Sequence, residues 1–217
     1  MQRPAVRLAA AVLAAAAVGL AGAAPPPFPF KDGLAAATLK QRPATVLNLG
    51  AYAIHFEQTA MREVVRTVGT GAIHHQGDAG DSLDWICYRI PGPAPQLLWI
   101  TSGELQGGQV VDGVAARFDA AVPADCAELP ERFRGVTLDR GVWLGQAEPA
   151  LQAALGPASA RRDAWLQWCF EAKGRDEHHD EASNTTAGVD YDESSSLVLR
   201  LDGGQIAALF AAKDTTY

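Results

Sequence analysis

Residues 82–90 and 165–171 read as β-strands that are apolar on both faces, and no other feature of this 217-residue sequence limits its fold as tightly. Side chains alternate across a strand, so Leu83, Trp85 and Cys87 fall on one face and Ile86, Tyr88 and Ile90 on the other. In 165–171, Trp165 and Cys169 oppose Leu166, Trp168 and Phe170. An antiparallel sheet with one wet face shows a clean apolar/polar alternation. Here both faces need cover. The other half of the chain is the expected cover. The alternative is an aromatic-lined sheet offered to a partner protein, since Trp and Tyr dominate binding hot spots.

Around these strands the two halves repeat one order. Residues 44–56 are β-branched and apolar, and 57–68 carry Ala60, Met61, Val64, Val65 and Val68 in one helical stripe. Gly69 stands where a helix C-cap prefers glycine. Strands follow at 82–90, 96–101 and 110–118. In the second half, residues 135–144 lead to a helix over Glu148–Leu155 with Pro149 in its first turn. Strands follow at 165–171, 196–201 and 206–213, the last two joined by Asp202-Gly203-Gly204, a hairpin signal. Ala60, Val64, Val68 and Gly69 match Ala147, Leu151, Leu155 and Gly156 at a constant offset of 87. The expected fold is therefore α+β: two tandem small domains, residues 43–119 and 133–217, each a helix packed on an antiparallel sheet of three to four strands. Residues 120–132 are the connector.

The first 23 residues have the parts of a secretory signal: Arg3 and Arg7, an apolar run at 8–20, and Ala21-Gly22-Ala23. That run is shorter than the roughly 20 residues of a bilayer-spanning helix. Cleavage is placed after Ala23, because a later cut would set Pro25 directly beyond it. The alanine-rich signal points to a bacterial protein, periplasmic or secreted. Residues 24–42 follow as a Pro-rich tether that cannot join a helix. Cleavage removes two Arg and no acid, so the net charge falls from -7 to -9. Such a balance disfavours DNA and anionic membranes. In an oxidising compartment three cysteines form an odd set with three pairings open. Cys87–Cys126 is favoured, worth about 4 kcal/mol in chain-entropy terms, with Cys169 left as a small buried residue.

Little in the sequence carries chemistry. His178 and His179, inside the acidic 176–181 loop, are ligand types for a transition metal but lack zinc-site spacing. They support a periplasmic metal-binding protein as an alternative function. His74-His75 precedes a turn-rich connection, and Asp81 and Asp84 read as turn-forming residues. Thr101-Ser102-Gly103 lacks a nucleophile elbow. Gly69-Thr70-Gly71 lacks the third glycine and the preceding strand of a dinucleotide fingerprint. No catalytic residue and no cofactor is expected; a hydrolase assembled from distant residues is the enzymatic alternative.

The run Gly141-Val142-Trp143-Leu144-Gly145-Gln146, continued to Leu155-Gly156-Pro157-Ala158-Ser159, resembles the opening of the small lipoprotein of the bacterial outer-membrane barrel-assembly machinery. Residues 165–170 and 197–210, around Asp202-Gly203, follow that family's order of an aromatic strand and a hairpin. The same fold in tandem is that of β-lactamase-inhibitory protein, a secreted non-enzyme that grips its target with an aromatic sheet. The resemblance covers 141–212, and the first half follows through Val64, Val68, Gly69 and 85–88. It departs in having no lipidation cysteine, and in a polar stretch at 172–196 where a short turn is expected. It implies the fold and a non-enzyme, not a named partner; the expected role is to bind another envelope or secreted protein. The sheet face bearing Trp85, Tyr88, Trp99, Trp165, Trp168 and Phe170 is the expected contact, with no nucleic acid involved and no transmembrane segment after processing.

Overall fold

Strand sequence outweighs helix throughout the computed structural model, which describes residues 24–26, 35–78, 82–103, 109–119, 125–180 and 185–217, with the backbone alone at 177–180 and 185–187. The expected signal peptide lies outside the described residues. In chain order the elements are β1 (Val46–Leu49), β2 (Tyr52–His55), α1 (Met61–Val68), β3 (Ile73–Gln76), β4 (Leu83–Ile90), β5 (Gln96–Gly103) and β6 (Gly113–Phe118). Then come β7 (Ala127–Glu128), β8 (Val136–Leu138), α2 (Glu148–Leu155), β9 (Ala160–Arg162), β10 (Trp165–Asp180), β11 (Thr185–Asp202) and β12 (Gln205–Thr216). No helix among the described residues is long and apolar enough to cross a membrane.

The expected pair of separate helix-on-sheet domains is not what forms. One nine-stranded sheet runs β3-β4-β5-β6-β12-β11-β10-β9, with β7 added in parallel beside β4. The seam is the antiparallel pairing of β12 with β6, from Ala208↔Arg117 to Ala212↔Gly113. A physical reason lies in the edges: each half would leave a strand of small apolar residues with unpaired N–H and C=O groups, and joining them satisfies both. Gly113 is required there, because a Cβ would meet Thr101 Oγ1 and the Ala211 carbonyl at 2.8 and 2.9 Å. A second link crosses the halves, since β8 pairs with β1 in a small sheet of order β2-β1-β8.

Local signals hold where they are self-contained. Helix α2 spans Glu148–Leu155 as its stripe requires. Helix α1 starts only at Met61, because Glu57 adopts φ 63° and the His55 N–H is taken by Thr59 Oγ1 at 2.9 Å. Gly69 closes α1 in the left-handed region, its N–H on the Val65 carbonyl. Gly203 and Gly204 both have positive φ in the β11–β12 turn.

Both sheet faces are covered, as the doubly apolar strands demand. On one face Ile86, Tyr88, Leu98, Ile100, Trp168 and Leu197 join a core with Val64 and Val68 of α1, Leu151 and Leu155 of α2, and Leu47, Leu49 and Ile54 of the small sheet. On the opposite face Trp85, Cys87, Leu97, Trp99, Ala115 and Cys126 form a second cluster. The expected Cys87–Cys126 bridge is present, pinning the connector across that face, and Cys169 is free and buried. The tether also joins the fold. The Trp99 indole N–H donates to the Ala24 carbonyl, the Ala35 N–H to Gln167 Oε1, and the Thr38 and Leu39 N–H groups to the Cys169 carbonyl at the free edge of β10. The chain's own N-terminal strap and connector therefore cover the second face.

Opening the bridge with Cys126→Ala is expected to lower stability by about 2–5 kcal/mol, read by urea denaturation, while far-ultraviolet circular dichroism keeps its strand signal.

Candidate functional site

Strand alternation separates the six aromatic residues expected to share a docking face. Tyr88, Trp168 and Phe170 lie on the helical face, whereas Trp85, Trp99 and Trp165 lie on the opposite one. Four of them, Trp85, Tyr88, Trp99 and Trp168, are buried. The Tyr88 hydroxyl donates to the Thr70 carbonyl at 2.8 Å, and burial pushes its pKa up. The Trp168 indole N–H donates to the Gly156 carbonyl at 3.1 Å. Phe170 is half-buried beneath the Arg42 guanidinium, and Trp165 is half-buried beside β9.

What reaches beyond the body is the β10–β11 hairpin. Strand β12 accompanies β11 only as far as Asp192↔Thr216, while β10 and β11 go on pairing from Gly174↔Tyr191 to Asp180↔Thr185. These seven pairs make a two-stranded arm of about 20–24 Å at 3.4 Å per residue. Within the polar stretch 172–196, where a short turn is expected, residues 172–180 and 185–196 thus form a ladder. Gly174 leaves room for the Tyr191 ring, which would otherwise strike a Cβ. Tyr191 and Tyr217 lie 5.9 Å apart, and the Tyr217 hydroxyl donates to Asp176 Oδ2 at 3.1 Å. Lys173–Asp192 and Arg175–Asp190 are exposed cross-strand ion pairs, of the kind that adds little stability. A groove of about 460 Å³ runs along the arm's root, lined by Glu171, Lys173, Asp192, Ser194 and Thr216.

The root itself is clamped by charge. Glu193 of β11 is only 4 % exposed and is paired in bidentate fashion with Arg42 of the strap. On the neighbouring strand Lys213 pairs with Glu57, which also accepts from the Thr215 hydroxyl at 2.9 Å. Ser195 donates to the Ala44 carbonyl at 3.1 Å. Hydrogen bonding from Arg42 holds the Glu193 carboxyl below its ordinary value of 4.5, and the Arg42 guanidinium is correspondingly raised. Ser195 and Lys213 are direct cross-strand partners, the residue types of a Ser–Lys nucleophile. Yet the lysine is bound to a carboxylate and the serine proton to a carbonyl, so neither is poised for proton transfer. The cluster ties strap and loop to the arm.

A second constellation joins residues distant in sequence. His75 of β3, Asp84 of β4 and Ser102 of β5 occupy one cross-strand row, beside a cleft of about 530 Å³ lined by Ala60, Met61, Ile73, Asp84 and Gln109. His75 Nδ1 meets Asp84 Oδ1 at 2.8 Å and its Nε2 meets the Gly77 carbonyl at 3.0 Å. Only the doubly protonated ring donates to both, and the hydrogen bond to Asp84 accordingly raises the His75 pKa above 6.5. In a hydrolytic triad the imidazole stands between serine and acid. Here the acid stands between serine and imidazole, and among the described residues Ser102 Oγ is buried without a partner and meets no base. Asp84, read in sequence as a turn residue, belongs to a strand.

The backbone of His178 and His179 lies in β10, paired with Ala187 and Thr186, and their side chains lie outside the described ones. No protein family, curated protein or solved structure matches this chain.

Two titrations follow. Glu193→Gln is expected to cost about 1–3 kcal/mol at neutral pH. Because the folded pKa is depressed, that stabilisation is present above about pH 4.5 and is lost as pH falls through the folded value; wild type and variant therefore converge in denaturation curves taken in strong acid. For His75 the sign reverses: its contribution is full below about pH 6.5 and is lost as pH rises through the folded value. By NMR its titration midpoint lies above 6.5, and Asp84→Asn brings it back toward that value.

Proposed function

We propose that this chain is an exported, non-enzymatic binding protein that docks another envelope or secreted protein along the β10–β11 arm. The observation that carries the reading is the length of those strands, 16 and 18 residues, paired well beyond their neighbour β12. A free two-stranded ribbon is marginal in water and its ordering costs entropy, so the arm gains most of its worth from what it meets. Its root is held by the two ion pairs, and its described tip positions present Arg175, Asp176, Val189 and Asp190 to solvent. The outer edge of β10 is met by β9 over Trp165–Gln167 and by the strap at Cys169, and by no further strand among the described residues. That leaves a long backbone edge, the element used when an extended partner segment adds to a sheet. Charged side chains along an edge discourage unspecific pairing, so recognition there depends on complementary charge.

Export is part of the same proposal. Its support is the tripartite signal of residues 1–23 and the Cys87–Cys126 bridge, a bond that persists in oxidising compartments. A protein recovered from the periplasm is expected to begin at Ala24 by mass spectrometry. A variant in which residues 174–191 are replaced by Asn-Gly keeps its unfolding temperature within a few degrees and loses the crosslinked adducts that wild type forms in cells; identical adducts from both proteins would refute the arm as the docking element.

A further inference from the structure

We propose that the sheet face floored by Trp85 and Trp99 is a binding site for an extended proline-rich peptide, and that its resident occupant is the chain's own segment beginning at Ala24, held in cis. This concerns the face opposite the helices and stands whether or not the arm docks a partner. From the export reading it takes only the cut after Ala23.

The argument starts from backbone chemistry. Pro25, Pro26, Pro27 and Pro29 have no N–H, so this stretch cannot add to a sheet as a strand. It favours the extended polyproline II form, which makes no internal hydrogen bonds and leaves its carbonyls in need of donors. An aromatic surface bearing indole N–H groups answers both needs, with flat rings for the pyrrolidines and a donor for the carbonyls. The structure holds those parts together. The Trp99 indole N–H donates to the Ala24 carbonyl at 3.0 Å, and Pro26 is buried. The Arg117 guanidinium lies over the Trp99 ring, its charge also paired with Asp119.

A second observation points to a hydrogen-bonding need on this floor that Ala24 to Pro26 does not meet. Trp85, on the neighbouring strand and the same face, is 3 % exposed, and its indole N–H has no hydrogen-bond partner among the described residues. A buried orphan donor is costly. Here it is a second indole beside one that already binds a peptide carbonyl. His74 stacks on Trp85 with centroids 5.7 Å apart, walling that end of the floor. At the other end the strap is held independently, by Ala35 on Gln167 and by Thr38 and Leu39 on Cys169. The first residues can therefore leave the aromatic floor without the strap coming away from β10.

The test uses the chain from Ala24 to Tyr217, a variant with Pro25, Pro26 and Pro27 all replaced by Ser, and a synthetic peptide of residues 24–30. The triple substitution is expected to move the Trp99 indole N–H resonance, and the added peptide to return it to the wild-type position. Affinity for the variant exceeds that for wild type at least tenfold, because the tethered segment competes at a high effective concentration. A peptide with Ser in place of each Pro binds at least tenfold more weakly. Equal affinity of the two peptides, or a Trp99 resonance unmoved by the triple substitution, overturns the proposal. If the triple variant does not fold, Trp99→Phe in the otherwise wild-type chain decides. Release of the segment then makes residues 24–34 an early site of limited proteolysis while the body stays intact, and an unchanged cleavage pattern overturns the assignment. A concentration-dependent wild-type dimer in light scattering would show exchange between copies and overturn the occupant in cis.

Discussion

Antiparallel pairing of β6 with β12 is the contact on which the rest of this structure depends. Each half supplies a meander of four strands, and the order β3-β4-β5-β6-β12-β11-β10-β9 places the two meanders edge to edge. Once joined, they present two broad apolar faces that neither half can cover alone. One face is roofed by both helices and by the small sheet β2-β1-β8, which draws β8 across from the second half. The other is roofed by irregular chain, the N-terminal strap and the disulfide-pinned connector.

Irregular cover of this kind has a physical cost, since extended segments bring backbone polar groups onto an apolar surface. The strap meets it with particular donors and acceptors: the Trp99 indole, the Gln167 amide and the Cys169 carbonyl. Proline reduces the cost further, because a residue without an N–H has one group fewer to satisfy. Where the strap rounds the sheet edge, Arg42 locks to Glu193 and the Ala44 carbonyl accepts from Ser195. The buried Glu193 carboxylate is used here to position chain. Lys213 with Glu57 and His75 with Asp84 are likewise bound to each other.

Local signals proved legible. The stripe and boundaries of α2, the Gly69 cap, the Asp202-Gly203-Gly204 turn and the doubly apolar character of β4 all follow from neighbours within a few residues. The Cys87–Cys126 pairing was also reachable, since three cysteines allow only three choices. Long-range pairings were not. Strands β3 and β9 are only four and three residues long and polar, and each exists because a longer strand beside it offers a ladder. The arm was read as a loop because its residues are charged and glycine-containing, a composition that a ribbon with two wet faces tolerates as readily as a coil.

Composition and periodicity alone thus determined that both sides of the strands must be buried, that two short helices lie between strand runs, and that the cysteines can form one bridge. These are properties of residues close in sequence, where the 3.6- and 2-residue periods act directly. Tertiary structure decided that the halves fuse into one sheet, that a proline-rich tether becomes a roof, and that Trp85, Trp99 and Trp165 share one face. Edge pairing and face covering are contests among distant segments. Their outcome rests on which backbone groups would otherwise stay unsatisfied, and that quantity exists only once the chain is folded.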